Sequence, residues 1–323
     1  LLKKEASIVM NELHVITLLQ EIKCVQVAST SACIDGNYYV VSCIRDLDTI
    51  KKQKGVQLEL EKSIAYEKSK VEFFANISHD LKTPINVIYS ASQLQDICLH
   101  SNEIDKVHMY NRVIKQNCLR LQKLLNDVLD ITKIDANHFK ARPKLCNIIS
   151  LIENLTQSVA SYVEHKKLSI IFDTNVEEKV IITDPNLIER VILNLLSNAI
   201  KYGNKNGHIW VTLDVQDHHL TISVKDDGIG IPEDQLPEIF ERFIKAKNNT
   251  THCSDGSGIG LSLVKAIVEM LGGTISCDSE ENKGTEFIIV LPLLLGDLDP
   301  LANYECAASF EVDDKINLEL SDI

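Results

Sequence analysis

The sequence predicts a multidomain protein in which an α-helical hairpin, paired in a dimer as a four-helix bundle, precedes an α+β domain. Three observations support this fold class. The chain has 323 residues, which suits two or three domains. Apolar residues at heptad spacing run through the first half. In the second half, short segments rich in β-forming residues alternate with amphipathic segments.

The first 46 residues are predicted to form a helical stretch followed by short strands. Tyr38 to Ile44 is rich in β-forming residues, and Asp35-Gly36-Asn37 before it is a turn signal. A lone hairpin of this size cannot bury a core. We therefore expect this segment to be the end of a domain that begins upstream.

A long helix is predicted from Asp46 to about Ile97. Ile50, Gln57, Ile64 and Val71 are seven residues apart, which is a weak coiled-coil signal that Gly55 weakens further. The apolar periodicity then continues through Phe74, Ile77, Leu81 and Ile88. This segment therefore predicts one helix that leads from a linker into a helical domain.

A second helix is predicted from about Ile104 to Ile134, after the polar residues 100–103. Two ranks of residues at seven-residue spacing support it: Val107, Ile114, Leu121 and Val128 in one, and Tyr110, Asn117, Leu124 and Ile131 in the other. A short loop between two long helices makes them antiparallel. Because two helices bury too little surface alone, we expect a homodimer with a four-helix bundle.

After Arg142-Pro143 the pattern changes to mixed helix and strand. The predicted strands are 168–172, 209–213, 220–224 and 287–291, and the predicted helices are 148–165, 185–201 and 259–271. Asp184-Pro185 has the composition of a helix start, with Asp184 as the N-cap. Close hairpins such as 209–224 predict an antiparallel or mixed sheet, and hence an α+β domain.

Composition excludes several classes of protein. The net charge of −13 argues against nucleic-acid binding, which needs cations against phosphate. The nine cysteines form no C-x-x-C pair, which argues against a zinc site and favours a reducing cytosol. No stretch of 18 apolar residues is present, so no membrane span is expected. The chain begins Leu1-Leu2-Lys3, without a signal peptide, and is expected to be a piece of a longer protein.

Negative charge is concentrated at the C-terminus. The last 27 residues contain eight carboxylates and one lysine. Such a charge run is usually solvated, and we expect a solvated acidic tail.

His79 is the first candidate for chemistry. On a helix it points about 180° from the mean direction of Ile77 and Leu81, and so lies on the polar side. An ordinary surface histidine is the alternative. However, Asp80 could bond one imidazole nitrogen and raise the basicity of the other, which suits a nucleophile. Thr83 lies one turn further on and could position a water molecule.

A polar face on the helix from 185 is the second candidate. Asn194, Asn198, Lys201 and Tyr202 share one face, and apolar residues occupy the opposite one. An amide oxygen is a hard ligand for Mg²⁺, and lysine suits phosphate. The alternative is a solvated face with two chance asparagines.

Two glycine-rich segments follow. In Asp226-Asp227-Gly228-Ile229-Gly230, a carboxylate could accept the adenine amino group, and Gly228 and Gly230 would permit close approach; a β-turn is the alternative. In the segment 255–261, Gly256, Gly258 and Gly260 offer backbone N–H groups to phosphate at a helix start. The polar stretch 244–257 would form a lid, and its Lys245 and Lys247 could meet the terminal phosphate.

The order of these motifs resembles that of the sensor histidine kinases of two-component signalling, over about residues 62–293. Residues 74–84 resemble the phosphoacceptor box, 194–202 the N box, 226–230 and 256–261 the two glycine boxes, 240–243 the F box and 284–287 the closing strand. The implied division is 1–46 as the end of a PAS-like sensory domain, 47–71 as a signalling linker, 62–137 as the dimerisation and phosphotransfer domain, 145–293 as the ATP-binding domain and 294–323 as the acidic tail.

The resemblance implies a Bergerat fold for the ATP-binding domain, and a role for each site residue. It implies that His79 is phosphorylated, with Asp80 as base or orienter, and that Asn198 ligates Mg²⁺ beside Asn194. Lys201 would meet phosphate, Tyr202 would flank adenine, and Asp226 would bind its amino group with help from Thr285. The remaining implied ATP-binding residues are Gly228, Gly230, Phe240, Phe243, Lys245, Gly256, Gly258, Gly260 and Leu261.

The expected function is ATP-dependent autophosphorylation of His79 followed by transfer to an aspartate of a response regulator, with Thr83 serving a phosphatase activity. The cofactors are ATP and Mg²⁺, and the site of action is the cytoplasmic part of a protein that could be membrane-anchored. The alternatives are an ATPase of the same superfamily that does conformational work, and a degenerate dimeric scaffold.

Overall fold

The computed structural model describes residues 7–16, 22–34, 37–101, 103–136, 138–241, 258–293 and 312–321. The chain divides into two compact units, 1–75 and 76–323. None of the described helices is long and apolar enough to cross a bilayer.

The first unit contains a three-stranded antiparallel sheet. Its strands are β1 (Ser7–Ile16), β2 (Ile22–Ile34) and β3 (Asn37–Asp46), in the order β1-β2-β3. The helix predicted ahead of the strands is wrong, because residues 7–16 pair with β2 as a strand. The hairpin of β2 and β3 confirms the predicted strand at 38–44, and its predicted turn residues 35–36 lie outside the described part of the chain. The PAS-like identity of this unit stays a prediction.

Helix α1 (Leu47–His100) is 54 residues long and continues through Gly55 and Pro84. Helix α2 (Ile104–Asp135) follows after three residues. The backbone N–H of Glu103 donates to the Cys98 carbonyl at 3.0 Å, which closes the turn between the helices. The predicted helical hairpin is therefore confirmed.

Within the second unit, a five-stranded sheet forms the centre of the domain that follows the helical hairpin. Its strands are β5 (Ser169–Thr174), β7 (His208–Val215), β8 (His219–Asp226), β9 (Thr274–Glu280) and β10 (Gly284–Pro292), in the order β5-β7-β8-β10-β9. The β5–β7 pair is parallel and the other pairs are antiparallel, as the mixed-sheet prediction allows. The strands β4 (Lys144–Asn147) and β6 (Val180–Thr183) form a separate pair.

Helices cover one face of this sheet. They are α3 (Ile148–Ser158), α4 (Ala160–His165), α5 (Pro185–Tyr202) and α6 (Gly260–Met270). Alternate residues of β7, Ile209, Val211 and Leu213, are fully buried together with Ile192 and Leu196 of α5. This two-layer core confirms the α+β prediction. The predicted helix 148–165 is interrupted at Val159, and β4, β6 and β9 were not predicted as strands.

The predicted solvated tail is wrong for residues 312–321. They form helix α7 (Val312–Glu319) and a following turn, and Ile316 and Leu320 are buried. Lys123 on α2 pairs with Glu319 of α7, and Lys315 of α7 pairs with Glu189 on α5. These ion pairs neutralise side chains that a solvated tail would expose to water. Residues 294–311 and 322–323 lie outside the described part of the chain.

Candidate active site

His79 lies on α1 with its imidazole 80% exposed, on the polar side that helical periodicity predicts. Its Nδ1 is 3.4 Å from Oδ1 of Asp80. Ile77, on another face of the helix, is buried. With Nδ1 held by the carboxylate, Nε2 is the nitrogen left to react with a group that approaches from solvent.

Thr83 lies one turn after His79, and both residues are exposed. The Thr83 hydroxyl donates to the backbone carbonyl of His79 at 3.4 Å. The Thr83 hydroxyl therefore lies beside His79 and is hydrogen-bonded to the helix backbone.

The N-terminus of α5 is fixed by its cap. The Asn186 N–H donates to Oδ1 of Asp184 at 3.0 Å, and the Arg142 N–H donates to Oδ2 at 2.7 Å. Pro185 follows as the first helical residue. The structural interpretation of Asp184-Pro185 is confirmed, and this cap sets the position of the polar face further along the helix.

On that face, the Asn198 amide donates to Oδ1 of Asn194 at 3.4 Å, and Asn194 is buried. The Lys201 ammonium lies 5.4 Å from the centre of the Tyr202 ring. The opposite face of α5 is part of the apolar core. The structure thus gathers the four predicted residues on one face, with the amide groups of the two asparagines in contact.

Gly260 joins this face to the start of α6. A Cβ atom at position 260 would lie 2.7 Å from the Asn194 amide nitrogen, so a larger residue there would displace the Asn194 side chain. The second glycine segment therefore meets the asparagine pair directly. Helix α6 begins there, with Leu261 in its first turn, and the N–H groups and positive dipole end of a helix start favour an anion.

Asp226 ends β8 with only 6% of its surface exposed. Its Oδ1 accepts the Gly228 N–H at 2.9 Å. Burial raises the pKa of Asp226 to about 6, against the backbone hydrogen bonds from Gly228 and Thr285 that lower it. A buried carboxylate of this kind favours a ligand that donates a hydrogen bond to it.

The structure gives Gly228 and Gly230 a role in packing, and their role in the close approach of a ring stays a prediction. A Cβ atom at 228 would lie 2.3 Å from the Tyr202 carbonyl oxygen, and one at 230 would lie 2.0 Å from that of Glu280. Gly230 also has a φ of +67°. These glycines are therefore required by contacts between chain segments.

Ser279 belongs to this site, and the sequence analysis missed it. It pairs across the sheet with Thr285, and the two hydroxyl oxygens are 2.9 Å apart. Its hydroxyl also accepts the Ile231 N–H at 2.8 Å, which ties the first glycine segment to β9. The cross-strand pairing is the signal that would have found it, and the strand β9 was not predicted.

Three predicted ATP-binding residues, Phe243, Lys245 and Gly256, lie outside the described part of the chain. Phe240 is described, and its ring contacts Phe287 edge-on with 6.3 Å between centres. Gly258 has a φ of +66°, which glycine adopts freely. No group of three His, Cys, Asp or Glu residues within the described segments could hold a metal ion. An amide site for Mg²⁺ would instead use Asn198 and Asn194.

Two family descriptions match the chain. The His Kinase A (phospho-acceptor) domain matches residues 69–137, and the histidine kinase-, DNA gyrase B- and HSP90-like ATPase matches residues 183–295. The first range contains His79, and the second contains both asparagines, Asp226 and the glycine segments.

Curated relatives share this combination. Hybrid signal transduction histidine kinase A of Dictyostelium discoideum is 30% identical over 288 residues, which are 85% of this chain and 13% of that protein. The autoinducer 2 sensor kinase/phosphatase LuxQ of Vibrio cholerae is 32% identical over 260 residues, covering 78% of this chain and 30% of LuxQ. Sensor histidine kinase YclK of Bacillus subtilis is 32% identical over 245 residues, covering 75% and 50%. The chain thus spans half the length or less of these relatives.

Solved structures share the fold. Histidine kinase AdeS of Acinetobacter baumannii superposes with a TM-score of 0.53 at 21% identity, over 67% of this chain and 98% of AdeS. Histidine kinase ThkA in complex with the response regulator protein TrrA superposes with a TM-score of 0.51 at 21% identity, over 84% and 75%. At these identities the likeness supports a common architecture alone.

Proposed function

The chain belongs to the histidine kinase family, and we propose that it transfers the γ-phosphoryl group of ATP to His79 and then to an aspartate of a response regulator. The observation that carries this proposal is the exposed imidazole of His79, with its Nδ1 3.4 Å from Asp80. That arrangement leaves Nε2 accessible to a phosphoryl donor.

In the proposed reaction, Nε2 of His79 attacks the γ-phosphorus. The Nε2–P bond forms while the bond from that phosphorus to the β–γ bridging oxygen breaks, and ADP leaves with the electron pair. Asp80 holds the proton on Nδ1 and stabilises the positive charge that develops on the ring. In the second step, an aspartate carboxylate of the regulator takes the phosphoryl group, and His79 is regenerated.

The buried carboxylate of Asp226 supports ATP as the donor. Adenine presents an amino group that can donate to this carboxylate. Thr285 pairs with Asp226 across the sheet and bonds the carboxylate through its backbone, and the Ser279 hydroxyl lies 2.9 Å from that of Thr285. Tyr202 would flank the ring, and Lys201 would meet phosphate. The N–H groups at the start of α6, beside Gly258 and Gly260, would take the phosphates.

Asn198 and Asn194 are the proposed holders of Mg²⁺, because amide oxygens are hard ligands. Their side chains already contact each other at 3.4 Å, so one ion could be served by both. When bound, Mg²⁺ offsets the charge of the triphosphate.

We also propose a phosphatase activity toward the regulator. Thr83 lies beside His79, where its hydroxyl could bond a water molecule in line with an aspartyl phosphate. The relative LuxQ is named a sensor kinase/phosphatase, which is consistent with two opposed activities.

A homodimer is proposed from the apolar surface of α1. Val71 and Ile85 are both more than half exposed in the single chain, and a second copy would cover them in a four-helix bundle. The proposed place of action is the cytoplasm, where ATP and a response regulator are available.

Labelling with γ-labelled ATP tests the function. The wild-type chain should acquire a label that is labile in acid and stable in base, as a nitrogen–phosphorus bond requires. His79→Ala should lose the label and keep ATP binding, since His79 buries little surface. His100→Ala is the matched control, because His100 is another exposed histidine of α1.

Two other results would point to the alternatives. ATP hydrolysis without a stable phosphoprotein would support the ATPase alternative, and absence of nucleotide binding would support the scaffold. Equal labelling of His79→Ala and the wild type would contradict the proposal.

A further inference from the structure

Helix α7 contacts two domains at once. On one side its C-terminal end meets α2, where Lys123, Arg120 and Gln116 donate to it. On the other side it meets the ATPase domain through α5 and α4. Residues that join it there are Asn186, Glu189, Ser197 and Tyr162.

The contact with α2 is built around the carbonyl groups that end α7. The Lys123 ammonium donates to the Glu319 carbonyl at 2.6 Å, and Nε of Arg120 donates to the Ser321 carbonyl at 3.0 Å. The Lys123 ammonium also lies 3.3 Å from the Glu319 carboxylate. Cations at the negative end of a helix dipole are favourable, so this end of α7 matches α2 in charge as well as position.

The contact with the ATPase domain combines ion pairing and burial. The Lys315 ammonium lies 2.6 Å from Oε2 of Glu189 on α5, and the Tyr162 hydroxyl donates to Asn317 at 2.6 Å. Ile316 and Leu320 are 2% and 3% exposed. The helix is therefore docked by apolar side chains at its centre and by polar pairs around them.

This docking limits motion of the ATPase domain relative to α2. In the direct connection between them, the described residues 136 and 138–143 form no helix or strand. Arg190 on α5 pairs directly with Asp127 and Asp130 on α2, and α7 adds a further connection from the other end of the domain. In this arrangement His79 stays 80% exposed, so the described residues of the ATPase domain do not cover the phosphoacceptor of their own chain.

We propose that residues 312–321 form an autoinhibitory latch, which holds the ATPase domain against α2 and must open before phosphoryl transfer to His79. This inference rests on the proposed function, because the latch would restrain that reaction. Opening the latch leaves the Arg190 pairing with Asp127 and Asp130 as the remaining polar contact with α2, so the ATPase domain separates more readily and carries nucleotide to a histidine. Autophosphorylation should then be faster in a chain with a broken latch.

The test opens the latch in the 323-residue chain with Ile316→Asp combined with Leu320→Asp. Both residues belong to the C-terminal segment, so the cores of the other domains keep their side chains. Ile171→Asp is the matched control, because Ile171 is an exposed residue of β5. Two quantities are measured on each protein: the rate at which an amine reagent modifies Lys123, and the initial rate of His79 labelling.

We expect the double variant to raise Lys123 modification at least tenfold, since this side chain is 10% exposed when α7 is docked. Lys133, 55% exposed, serves as the internal reference. His79 labelling should rise severalfold in the double variant and stay unchanged in Ile171→Asp.

Each other outcome overturns the latch or the function separately. If Lys123 reacts as fast as Lys133 in the wild type, α7 is not docked and the latch is wrong. If Lys123 becomes reactive in the double variant while labelling stays the same or falls, docking does not restrain the reaction. If neither the wild type nor any variant is labelled at His79, the proposed function is wrong, and the proposed restraint on that reaction is wrong as well. Modification of Lys123 would still show whether α7 docks.

Discussion

The guanidinium of Arg190 on α5 donates through Nη2 to Oδ1 of Asp127 on α2, at 2.6 Å. Nη1 of the same group bonds Asp130, one turn further along α2. One arginine of the ATPase domain therefore pairs with two carboxylates of the hairpin. Planar guanidinium geometry permits this double contact, which a lysine could not reproduce.

Asp127 should make stability depend on pH. Burial, together with the nearby Glu319 carboxylate, raises the pKa of Asp127 from 3.8 to about 6, against the opposing effect of Arg190. The folded chain thus binds this proton more tightly than the unfolded chain. The contribution of Asp127 to the free energy of unfolding is fully present below pH 3.8 and is lost as pH rises through 6.

The loss should be on the order of 2–3 kcal/mol, at about 1.4 kcal/mol per pKa unit. Asp127→Asn removes the titration. The free energy of unfolding of the variant, relative to that of the wild type, should therefore increase as pH rises from 4 to 7. Urea unfolding of both proteins at several pH values measures the difference. Parallel curves would contradict the assignment.

Asp226 should make ATP binding depend on pH. The ionised carboxylate accepts the adenine amino group, and burial raises the pKa of Asp226 to about 6 in the free chain. Affinity should therefore fall as pH drops through 6, approaching about tenfold per pH unit well below it. Calorimetric titration with ATP between pH 5 and 8 measures this. Asp226→Asn should bind weakly throughout. Asp227→Asn, which removes a carboxylate that bonds His208, should keep the pH dependence with its midpoint moved to lower pH, because the charge of Asp227 helps to raise the pKa of Asp226.

Asn198→Asp should abolish Mg²⁺-dependent labelling of His79. The change preserves shape but places a negative charge beside the triphosphate, and it alters the contact with Asn194. Asn206→Asp makes the same change at an exposed turn and should be labelled normally. Labelling of Asn198→Asp at the wild-type rate would show that this asparagine does not serve the ion.

Thr83→Ala should separate the two activities at His79. Autophosphorylation and transfer should persist, and dephosphorylation of the regulator should slow, because the hydroxyl that positions water is gone. The alternative is that Thr83 only stabilises the helix through its bond to the His79 carbonyl. That alternative predicts a proportionate loss of all three rates.

Thr132→Ala is the control for a purely structural effect. Its hydroxyl makes a comparable bond to the Leu129 carbonyl on α2. All three rates are measured on the same folded preparations. Unchanged dephosphorylation in Thr83→Ala would leave this hydroxyl without a catalytic role.

The sequence by itself determined the elements whose side chains repeat with a helical or strand period. The hairpin of α1 and α2 follows from apolar residues at heptad spacing, and α5 follows from an apolar face opposite Asn194 and Asn198. Such patterns are local, so they are visible before the chain folds. The candidate residues were found in the same way, because each lies in a short motif.

Tertiary structure alone decided the contacts between segments distant in sequence. Arg190 contacts Asp127, which is 63 positions away in sequence, and Lys123 contacts Glu319, which is 196 positions away. No local sequence pattern predicts either pair. The acidic C-terminal segment has the composition of a solvated tail. It docks because cations on α2 meet its carbonyl and carboxylate groups, its own Lys315 pairs with Glu189 on α5, and Ile316 and Leu320 are buried. Those partners exist only once the other elements have assembled.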